Sequence, residues 1–259
     1  MAILVFSGCS ALYPVHFGSA QYIYEHVTSD ITKFVGTSSG AVVAAFLATG
    51  KTPIEGFEIC KKLKPFSYIR SNILFCRKLG LFNLNKLECE FDKIYPKYFK
   101  DLNIHTDLIT SDIINKEQFV CCTENSPDIT VSKAIIASLS IPFLFNPIHY
   151  KNRMLVDGGL INPFAVDLYG CNDLIGVDVF PDESVYDKSK PDNLLSFSKA
   201  LIETMLLHIK KEHKEDTCGK IIPIKVKWNP FNFIGLDNES MQTLYDIGYH
   251  ETRRYFKHY

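Results

Sequence analysis

The sequence predicts one α/β domain, residues 1–259, built around a largely parallel sheet. Short runs of apolar, β-forming residues alternate with longer stretches of helical apolar spacing, and this alternation is typical of strands linked by crossover helices. No internal repeat and no linker-like stretch divides the 259 residues. With 46% hydrophobic and 22% charged residues, the composition is that of a globular domain able to bury a sizeable core.

The first half of the chain opens with two strand signals. Ile3 to Phe6 and Lys33 to Gly36 are short apolar runs followed by small residues, and both are predicted to be strands. Pro14 suits the first turn of a helix that is expected to end near His26. Further helices are expected over Ala41 to Thr49, from the capping box Thr52-Pro53-Ile54-Glu55 to about Lys64, and over about 84–99, with an irregular aromatic and basic stretch at 65–84.

The second half continues the alternation. Thr130 to Ser140 is predicted to be a helix of small and apolar residues that stops at Ile141-Pro142. A strand over Arg153 to Val156 is expected to end at Asp157. The other elements expected are strands over Thr106–Ile114, Gln118–Thr123, Leu174–Phe180 and Ile221–Val226, an amphipathic helix over about 194–215, and a final helix from about Asn238.

Charge and composition narrow the classes of partner. The chain has 28 Lys and Arg residues against 29 Asp and Glu residues, and this near-zero net charge does not favour binding to nucleic acid. No apolar run reaches the ~20 residues of a transmembrane helix, and the N-terminus has no basic signal region. The eight cysteines lack C-x-x-C and metal-type spacing. We therefore expect reduced thiols, no metal site, no transmembrane segment and a cytoplasmic location.

The most informative motif is Gly36-Thr37-Ser38-Ser39-Gly40, a G-x-S-x-G stretch between a predicted strand and a small-residue helix. A serine in this setting sits on a tight turn, with its hydroxyl above the sheet and near the positive end of the helix dipole. Gly36 and Gly40 let the turn close without side chains colliding with the helix. Ser38 is therefore the candidate nucleophile.

A turn of small residues follows the first predicted strand. A serine hydrolase needs backbone N–H donors directed at the oxyanion of its tetrahedral intermediate. Gly8, Cys9, Ser10 and Ala11 lie in this turn, and their N–H groups are the candidate donors.

A carboxylate ends a later strand, in Leu155-Val156-Asp157-Gly158-Gly159-Leu160. The end of a strand is where α/β proteins place ligand-binding residues, and Gly158 and Gly159 permit close backbone approach. Asp157 is therefore the candidate to accept the proton of Ser38.

These segments together resemble the patatin-like phospholipase family over nearly the whole chain, with core motifs within about 3–180. In that family, the serine of G-x-S-x-G and the aspartate of D-G-G or D-G-A form a catalytic dyad without histidine. The stretches Ala134 to Pro147 and Asn162-Pro163 also match the family's pattern. The resemblance implies that Ser38 is the nucleophile and Asp157 its dyad partner.

The resemblance also implies a three-layer α/β/α fold and hydrolysis of fatty acyl esters through an acyl-enzyme, with no metal or organic cofactor. A lipid substrate, phospholipid or acylglycerol, is expected, together with transient contact with a membrane surface. Phe143, Leu144 and Phe145 are candidates for the wall of the acyl-chain site, because they lie between the predicted helix and the Asp157 strand.

One departure leaves an alternative open. The family's oxyanion turn usually contains G-x-G-x-x-G, whereas the matching positions here are Gly8, Ser10 and Tyr13. If those positions require positive φ, serine and tyrosine would strain the turn or redirect its N–H groups. The alternative is a catalytically impaired lipid-binding or regulatory protein.

A Ser-His-Asp hydrolase is a second rival, since histidine is the usual partner of such a serine. The candidates that follow the aspartate in sequence are His208, His213, His250 and His258, all on predicted charged helices. Aromatic stretches at 65–82 and from Trp228 to Leu236 are either a lip around the site or part of the buried packing.

Overall fold

A computed structural model describes residues 2–71, 79–170, 173–185, 189–193, 196–198, 200–201, 203–204, 219–229 and 236–258 of the chain. Its strands are β1 (Ala2–Phe6), β2 (Ile31–Thr37), β3 (Arg70–Ser71), β4 (Gly80–Asn83), β5 (His105–Asp112), β6 (Glu117–Cys121), β7 (Phe143–Phe145), β8 (Ile148–Tyr150), β9 (Arg153–Asp157), β10 (Leu174–Pro181) and β11 (Lys220–Val226). Its α-helices are α1 (Tyr13–His26), α2 (Ser39–Ala48), α3 (Pro53–Leu63), α4 (Asn85–Phe91), α5 (Val131–Leu139) and α6 (Asn238–His258).

Within the described residues, the central sheet has eight strands in the order β11-β10-β1-β2-β5-β9-β8, with β6 also paired to β5. The pairs that join β11, β10, β1, β2 and β5 are parallel. The strands β6, β8 and β9 are antiparallel to their neighbours. The prediction of an α/β fold with a mostly parallel central sheet is confirmed.

The antiparallel strand β9 brings two predicted site residues together. Strand β2 pairs with the first part of β5 and ends at Thr37, opposite Ile109. Strand β9 pairs with the last part of β5 and ends at Asp157, opposite Thr110. Since β6 occupies the other edge of β5, β2 and β9 share one edge and their C-terminal ends face each other. Ser38, the residue after Thr37, therefore meets Asp157.

Alternating side chains of the strands face two separate cores, as the pleat of a sheet requires. Leu4 and Phe34 face the larger core, which also receives the apolar sides of α1 to α6. Val5 and Val35 point to the opposite face. There, in the described part of the chain, the cover comes from Phe164 and the short 3-10 segment Ala165–Leu168. The helices thus lie on one face of the sheet. This is the face that carries α2, the helix that begins directly after Ser38.

Several boundaries follow directly from sequence signals. Thr52 caps α3 through the predicted capping box, with Glu55 bonding back to the Thr52 N–H. The helix predicted over 84–99 is shorter, because α4 ends at Phe91. The following Tyr95-Pro96 step explains why the helix does not extend to 99, since a residue before proline avoids helical backbone.

The stretch at 65–84 also contains more order than the sequence predicted. It holds a 3-10 segment, Pro65–Tyr68, and two short strands. Strands β3 and β4 form a second, three-stranded sheet with β7. In this small sheet, β4 pairs with β7 and brings Phe82 beside Phe145.

The helix predicted over about 194–215 lies mostly outside the described residues. Within the described residues, no helix has both the length and the hydropathy needed to cross a bilayer.

Candidate active site

Ser38 lies between β2 and α2 with φ 52° and ψ −123°. A positive φ strains a residue other than glycine, and such strain persists only where the surrounding structure fixes it. Close packing fixes it here: a Cβ at Gly36 would lie 2.4 Å from the carbonyl oxygen of Gly40, in the first turn of α2. Glycine at 36 therefore lets the strand and the helix approach, which is the role that the motif predicted.

Asp157, the last residue of β9, contacts the Ser38 hydroxyl. Ser38 Oγ donates to Asp157 Oδ2 at 2.7 Å, and the Gly159 N–H donates to Asp157 Oδ1 at 2.7 Å. A Cβ at Gly158 would lie 2.3 Å from the carbonyl oxygen of Ile109, so the turn after β9 requires glycine there. Ser38 is 7% exposed and Asp157 5% exposed, which places their hydrogen bond out of bulk water.

Burial changes the acidity of Asp157. Removal from water raises the pKa of this carboxyl to about 7, although hydrogen bonds from Ser38 and the Gly159 N–H oppose the rise. No cation is among the causes of the shift, so the direction comes from desolvation alone. Asp157 therefore titrates near neutral pH, and its carboxylate is far more basic than that of an aspartate in water.

Ser138 on α5 connects the strained turn to the sheet. Its hydroxyl accepts a hydrogen bond from the Ser38 N–H at 2.8 Å and donates to the carbonyl oxygen of Ile109 at 2.6 Å. Ser138 is fully buried. One side chain thus satisfies a donor on the turn and an acceptor on β5. It fixes the backbone of Ser38 relative to β5, the strand that pairs with β9 next to Asp157.

The predicted oxyanion turn contributes fewer donors than the sequence indicated. The Gly8 N–H donates to the carbonyl oxygen of Pro163 at 2.8 Å, and the Cys9 N–H donates to Ser39 Oγ at 3.1 Å. Both groups are therefore used within the protein. In the described part of the chain, the N–H groups of Ser10 and Ala11 have no partner. Of the four predicted donors, these two are therefore the ones left without a partner among the described residues.

The turn lies against the nucleophile and is strained at one of its two unusual positions. A Cβ at Gly8 would lie 3.3 Å from Ser38 Cβ. Ser10 has φ 54°, the left-handed region that favours glycine. Tyr13 has φ −53° and ψ −25°, which is ordinary helical backbone. The strain expected from the missing glycines is therefore present at Ser10 and absent at Tyr13.

A pocket beside Ser38 is apolar over most of its wall. Ser10, Tyr13, Ser38 and Ser39 contribute its polar side chains. The remaining residues that line it are Val42, Pro65, Ile69, Leu84, Leu87, Phe91, Leu139, Ile141 and Phe145. These come from α2, α4, the end of α5, the segment from Ile141 to Phe145 and the stretch at 65–84, so the pocket lies on the face of the sheet that carries the helices.

Of the three residues predicted to form the acyl-chain wall, one lies at the pocket. Phe145 lines the pocket. Leu144 is buried in the larger core and is not among the residues of the pocket wall. Phe143 is 53% exposed, with φ 67°. The three residues alternate along β7, so consecutive side chains point to different sides and cannot all face one pocket.

The two aromatic stretches fall partly outside the described residues. Trp228 packs partly buried against the larger core, in keeping with the packing alternative for that residue. In the stretch at 65–82, Tyr68 and Phe82 pack against the same core, whereas Pro65 and Ile69 line the pocket.

The histidines proposed for a Ser-His-Asp site are not brought to Ser38 in the described part of the chain. His250 and His258 are exposed on α6, and His208 and His213 lie outside the described residues. Among the residues that the structure describes, no group of three His, Cys, Asp or Glu side chains could hold a metal ion. The hydrogen-bond partner of the Ser38 hydroxyl is Asp157.

Sequence reasoning missed three side chains that position the site. Ser138 accepts from the Ser38 N–H in the nucleophile turn, and Ser39 accepts from the Cys9 N–H in the oxyanion turn. The Nε2 atom of the buried His16 lies 2.8 Å from the carbonyl oxygen of Ser7, at the start of the oxyanion turn. A polar residue on an otherwise apolar helix signals such a role. The partner of each one is set by the tertiary structure alone.

The fold and the site define an α/β protein with a strained serine turn, a buried serine–aspartate pair and an adjoining apolar pocket. The sequence profile of the patatin-like phospholipases matches residues 4–168. The chain belongs to the patatin-like phospholipase family.

Individual relatives are distant. The chain is 25% identical over 153 residues to the probable lipid hydrolase 463L of Invertebrate iridescent virus 6, spanning 53% of each protein. It is 27% identical to the uncharacterized protein YqhO of Bacillus subtilis, over 78% of this chain and 79% of that protein. It is 24% identical to human patatin-like phospholipase domain-containing protein 4, over 80% and 83%. The chain thus spans about half the length of the viral relative.

Solved structures agree on the fold. VipD from Legionella pneumophila superposes with a TM-score of 0.58 at 14% identity, over 99% of this chain and 67% of that one. The type III effector ExoU gives a TM-score of 0.52 at 13% identity, over 99% and 53%. At these identities the similarity concerns the fold alone.

Proposed function

We propose that the protein is a lipid acyl hydrolase in which Ser38 is the nucleophile and Asp157 is the base. The observation that carries the proposal is the 2.7 Å hydrogen bond between a serine on a strained turn and a buried carboxylate. Membership of the patatin-like phospholipase family supports a lipid substrate. The names of the viral probable lipid hydrolase and of the human patatin-like phospholipase relative agree with it.

In the first half of the reaction, Ser38 Oγ forms a bond to the ester carbonyl carbon while Asp157 Oδ2 takes the hydroxyl proton. The carbonyl oxygen becomes an oxyanion. When the tetrahedral intermediate collapses, the ester C–O bond breaks, and the leaving alcohol takes the proton from Asp157. Ser38 is then acylated.

In the second half, Asp157 takes a proton from water, and the water oxygen attacks the acyl carbonyl carbon. Collapse of the second intermediate breaks the bond to Ser38 Oγ, which regains the proton from Asp157. The products are a free fatty acid and the original enzyme, so atoms and charge balance over the cycle.

Desolvation is what allows an aspartate to act as this base. An aspartate with an ordinary pKa of ~3.9 is a poor acceptor for a serine proton. With its pKa raised to about 7 by burial, Asp157 is about half ionised at neutral pH, and its ionised form binds the proton of Ser38 more tightly than an ordinary aspartate does. No histidine is required in this scheme.

Stabilisation of the oxyanion is assigned to the N–H groups of Ser10 and Ala11. They lack partners among the described residues and belong to a turn that contacts Ser38. The N-terminal end of α2, which starts at Ser39, adds a favourable dipole. These groups are fixed before the substrate binds, which is the condition under which such donors are most effective.

The pocket accounts for the acyl chain. Its wall beyond the serines consists of aliphatic and aromatic side chains, from Val42 to Phe145. Burial of a methylene group contributes about 0.8 kcal/mol. A fatty acyl chain is therefore favoured over a polar acyl group, and the ester carbonyl then lies at the polar end, beside Ser38.

An approach to a lipid surface is assigned to the neighbouring small sheet. Gly80 of β4 is opposite Phe143 of β7, so Leu79 and Phe143 are close in the fold. Leu79 is 64% exposed and Phe143 53% exposed. Phe145, two residues further along β7, lines the pocket. This apolar edge is therefore the side on which we expect contact with a membrane surface.

The decisive experiment is hydrolysis of a panel of phospholipid, galactolipid, triacylglycerol and lysolipid by the wild-type protein and by Ser38→Ala. We expect release of fatty acid from at least one class and a loss of at least about a thousandfold in Ser38→Ala. Matching circular dichroism spectra would show that the variant folds. Equal release by both proteins would contradict the role of Ser38.

The second candidate, a catalytically impaired lipid-binding protein, is favoured by the use of the Gly8 and Cys9 N–H groups inside the turn. It predicts lipid binding by both proteins and no release of fatty acid by either one. The same panel, with binding measured by flotation of vesicles, separates the two candidates.

A further inference from the structure

We infer that the side-chain hydroxyl of Ser10 is a third donor to the substrate carbonyl oxygen, beside the N–H groups of Ser10 and Ala11. The inference rests on the proposed function and deepens it. It assigns a catalytic contact to a side chain at a position where the family's pattern has glycine, which has no hydroxyl.

The first observation is that Ser10 Oγ is shielded from solvent and has no hydrogen-bond partner among the described residues. Buried hydroxyls are normally paired, because an unpaired one loses its bonds to water without replacement. Ser10 lines the pocket that contains Ser38. Its hydroxyl therefore lacks a partner at the place where a substrate is expected.

The second observation concerns the backbone. Ser10 has φ 54°, a conformation that glycine adopts without strain and serine does not. Serine at this position is unfavourable twice, once through the backbone and once through the unpaired hydroxyl. Neither feature stabilises the folded protein, so both are explained by a bond that forms only with a ligand.

The third observation is that two other serine hydroxyls of the pocket already have partners. The Ser38 hydroxyl donates to Asp157, and the Ser39 hydroxyl accepts from the Cys9 N–H. Ser10 Oγ has no such bond. It can therefore rotate and donate its proton to an incoming carbonyl oxygen without breaking a contact in the protein.

The chemistry follows from what a hydroxyl offers. As a donor it bonds weakly to the neutral carbonyl of an ester and more strongly to the oxyanion, because charge-assisted hydrogen bonds are the stronger kind. The contribution therefore falls mainly on the transition state, and its loss is expected to lower kcat more than it raises KM.

The test compares Ser10→Gly and Ser10→Ala with the wild-type protein. Glycine removes the hydroxyl and relieves the strain, whereas alanine removes the hydroxyl and keeps a Cβ at positive φ. We expect both variants to lose about tenfold or more in kcat on a p-nitrophenyl acyl ester, with KM little changed. Ser10→Gly should also melt at a higher temperature than the wild type.

Thr252→Val is the matched control. Thr252 Oγ1 is another buried hydroxyl with no partner in the described part of the chain, but it lies on α6 and not in the pocket. Thr252→Val removes a buried, unpaired hydroxyl, as the Ser10 variants do, so the effect of that removal on folding stability should be similar. We expect its kcat to equal that of the wild type.

The outcomes separate the inference from the function on which it rests. Ser10→Gly that is more stable and at least as fast as the wild type would overturn the inference and leave the hydrolase intact. A wild-type protein that hydrolyses no ester would overturn both. Slower turnover in both Ser10 variants, with normal turnover in Thr252→Val, supports the assignment.

Discussion

The turn at Ser38 and the turn at Ser10 have the same backbone strain but use their polar groups in opposite ways. Their φ angles are 52° and 54°. At Ser38 both polar groups have protein partners, the hydroxyl at Asp157 and the N–H at Ser138. At Ser10 neither the hydroxyl nor the N–H has one in the described part of the chain.

The difference matches the separate roles that we propose for the two strained turns, one for the nucleophile and one for the oxyanion donors. The nucleophile must be fixed in position, so its turn is closed by glycine packing and by Ser138. The oxyanion donors must instead be free to bind a group that is absent from the resting protein.

The largest effect is expected from Asp157→Asn. The amide cannot accept the proton of Ser38, so ester hydrolysis should fall by about a thousandfold or more while the neutral side chain keeps its size. Initial rates on a p-nitrophenyl ester measure the loss. Asp178→Asn, at another buried aspartate on β10, is the matched control and should retain activity. Substantial activity in Asp157→Asn would remove Asp157 from the role of base.

Ser138→Ala should have the next largest effect. It leaves the Ser38 N–H and the Ile109 carbonyl without their shared partner, and each unsatisfied buried group costs about 1–3 kcal/mol. We expect a lower melting temperature and about a tenfold to hundredfold loss in kcat. Steady-state kinetics and thermal unfolding measure the two effects.

Ser140→Ala is the control for that change. Ser140 is equally buried next to the end of α5, but its hydroxyl donates to the carbonyl of Ile136 in the same helix. It should lower stability without a comparable loss in kcat. Equal losses of activity in both variants would mean that Ser138 acts only through the stability of the helix.

These side chains also mark how far the sequence could predict the site. Ser38 and Asp157 were predictable because each lies in a local motif at the end of an apolar run. Their contact depends on β9 running antiparallel on the same edge of β5 as β2, and no local signal contains that pairing. The sequence therefore indicated the chemical groups and not the end-to-end arrangement that joins them.

The limits of prediction were similar for the fold. The capping box and prolines located α3 and the start of α1, because such signals act within one helical turn. The short strands β3, β4 and β7 have few residues, so their pairing depends on tertiary contacts and not on periodicity. The sequence also did not indicate which of the four candidate N–H donors are occupied, since the partners of the Gly8 and Cys9 N–H groups are distant in sequence.

The pH dependence of stability provides a smaller test of the same turn. With its pKa raised to about 7, Asp157 favours the folded state only when protonated, so its contribution is present below the ordinary value and is lost as the pH rises through about 7. Asp157→Asn lacks this dependence. Its melting temperature relative to the wild type should rise by several degrees between pH 5 and pH 8.5. An unchanged difference would mean that the carboxyl is not desolvated.

The smallest effect is expected at the lipid-facing edge. Phe143→Asn removes an exposed aromatic side chain and suits the observed φ of 67°, since asparagine tolerates this region. We expect about a threefold to tenfold slower hydrolysis of vesicle lipid, with little change on a soluble short-chain ester. Parallel assays on the two substrates provide the comparison. Equal rates on vesicles would remove Phe143 from the surface contact.

The central claim, that Ser38 is activated by a desolvated Asp157, is tested most directly by the rate of covalent modification with a fluorophosphonate from pH 5 to pH 9. The modified residue is identified by peptide mass spectrometry. We predict a single adduct on Ser38, at a rate that rises through about pH 7 and is largely lost in Asp157→Asn. An adduct on another residue, a rate independent of pH, or equal labelling of Asp157→Asn would contradict the claim.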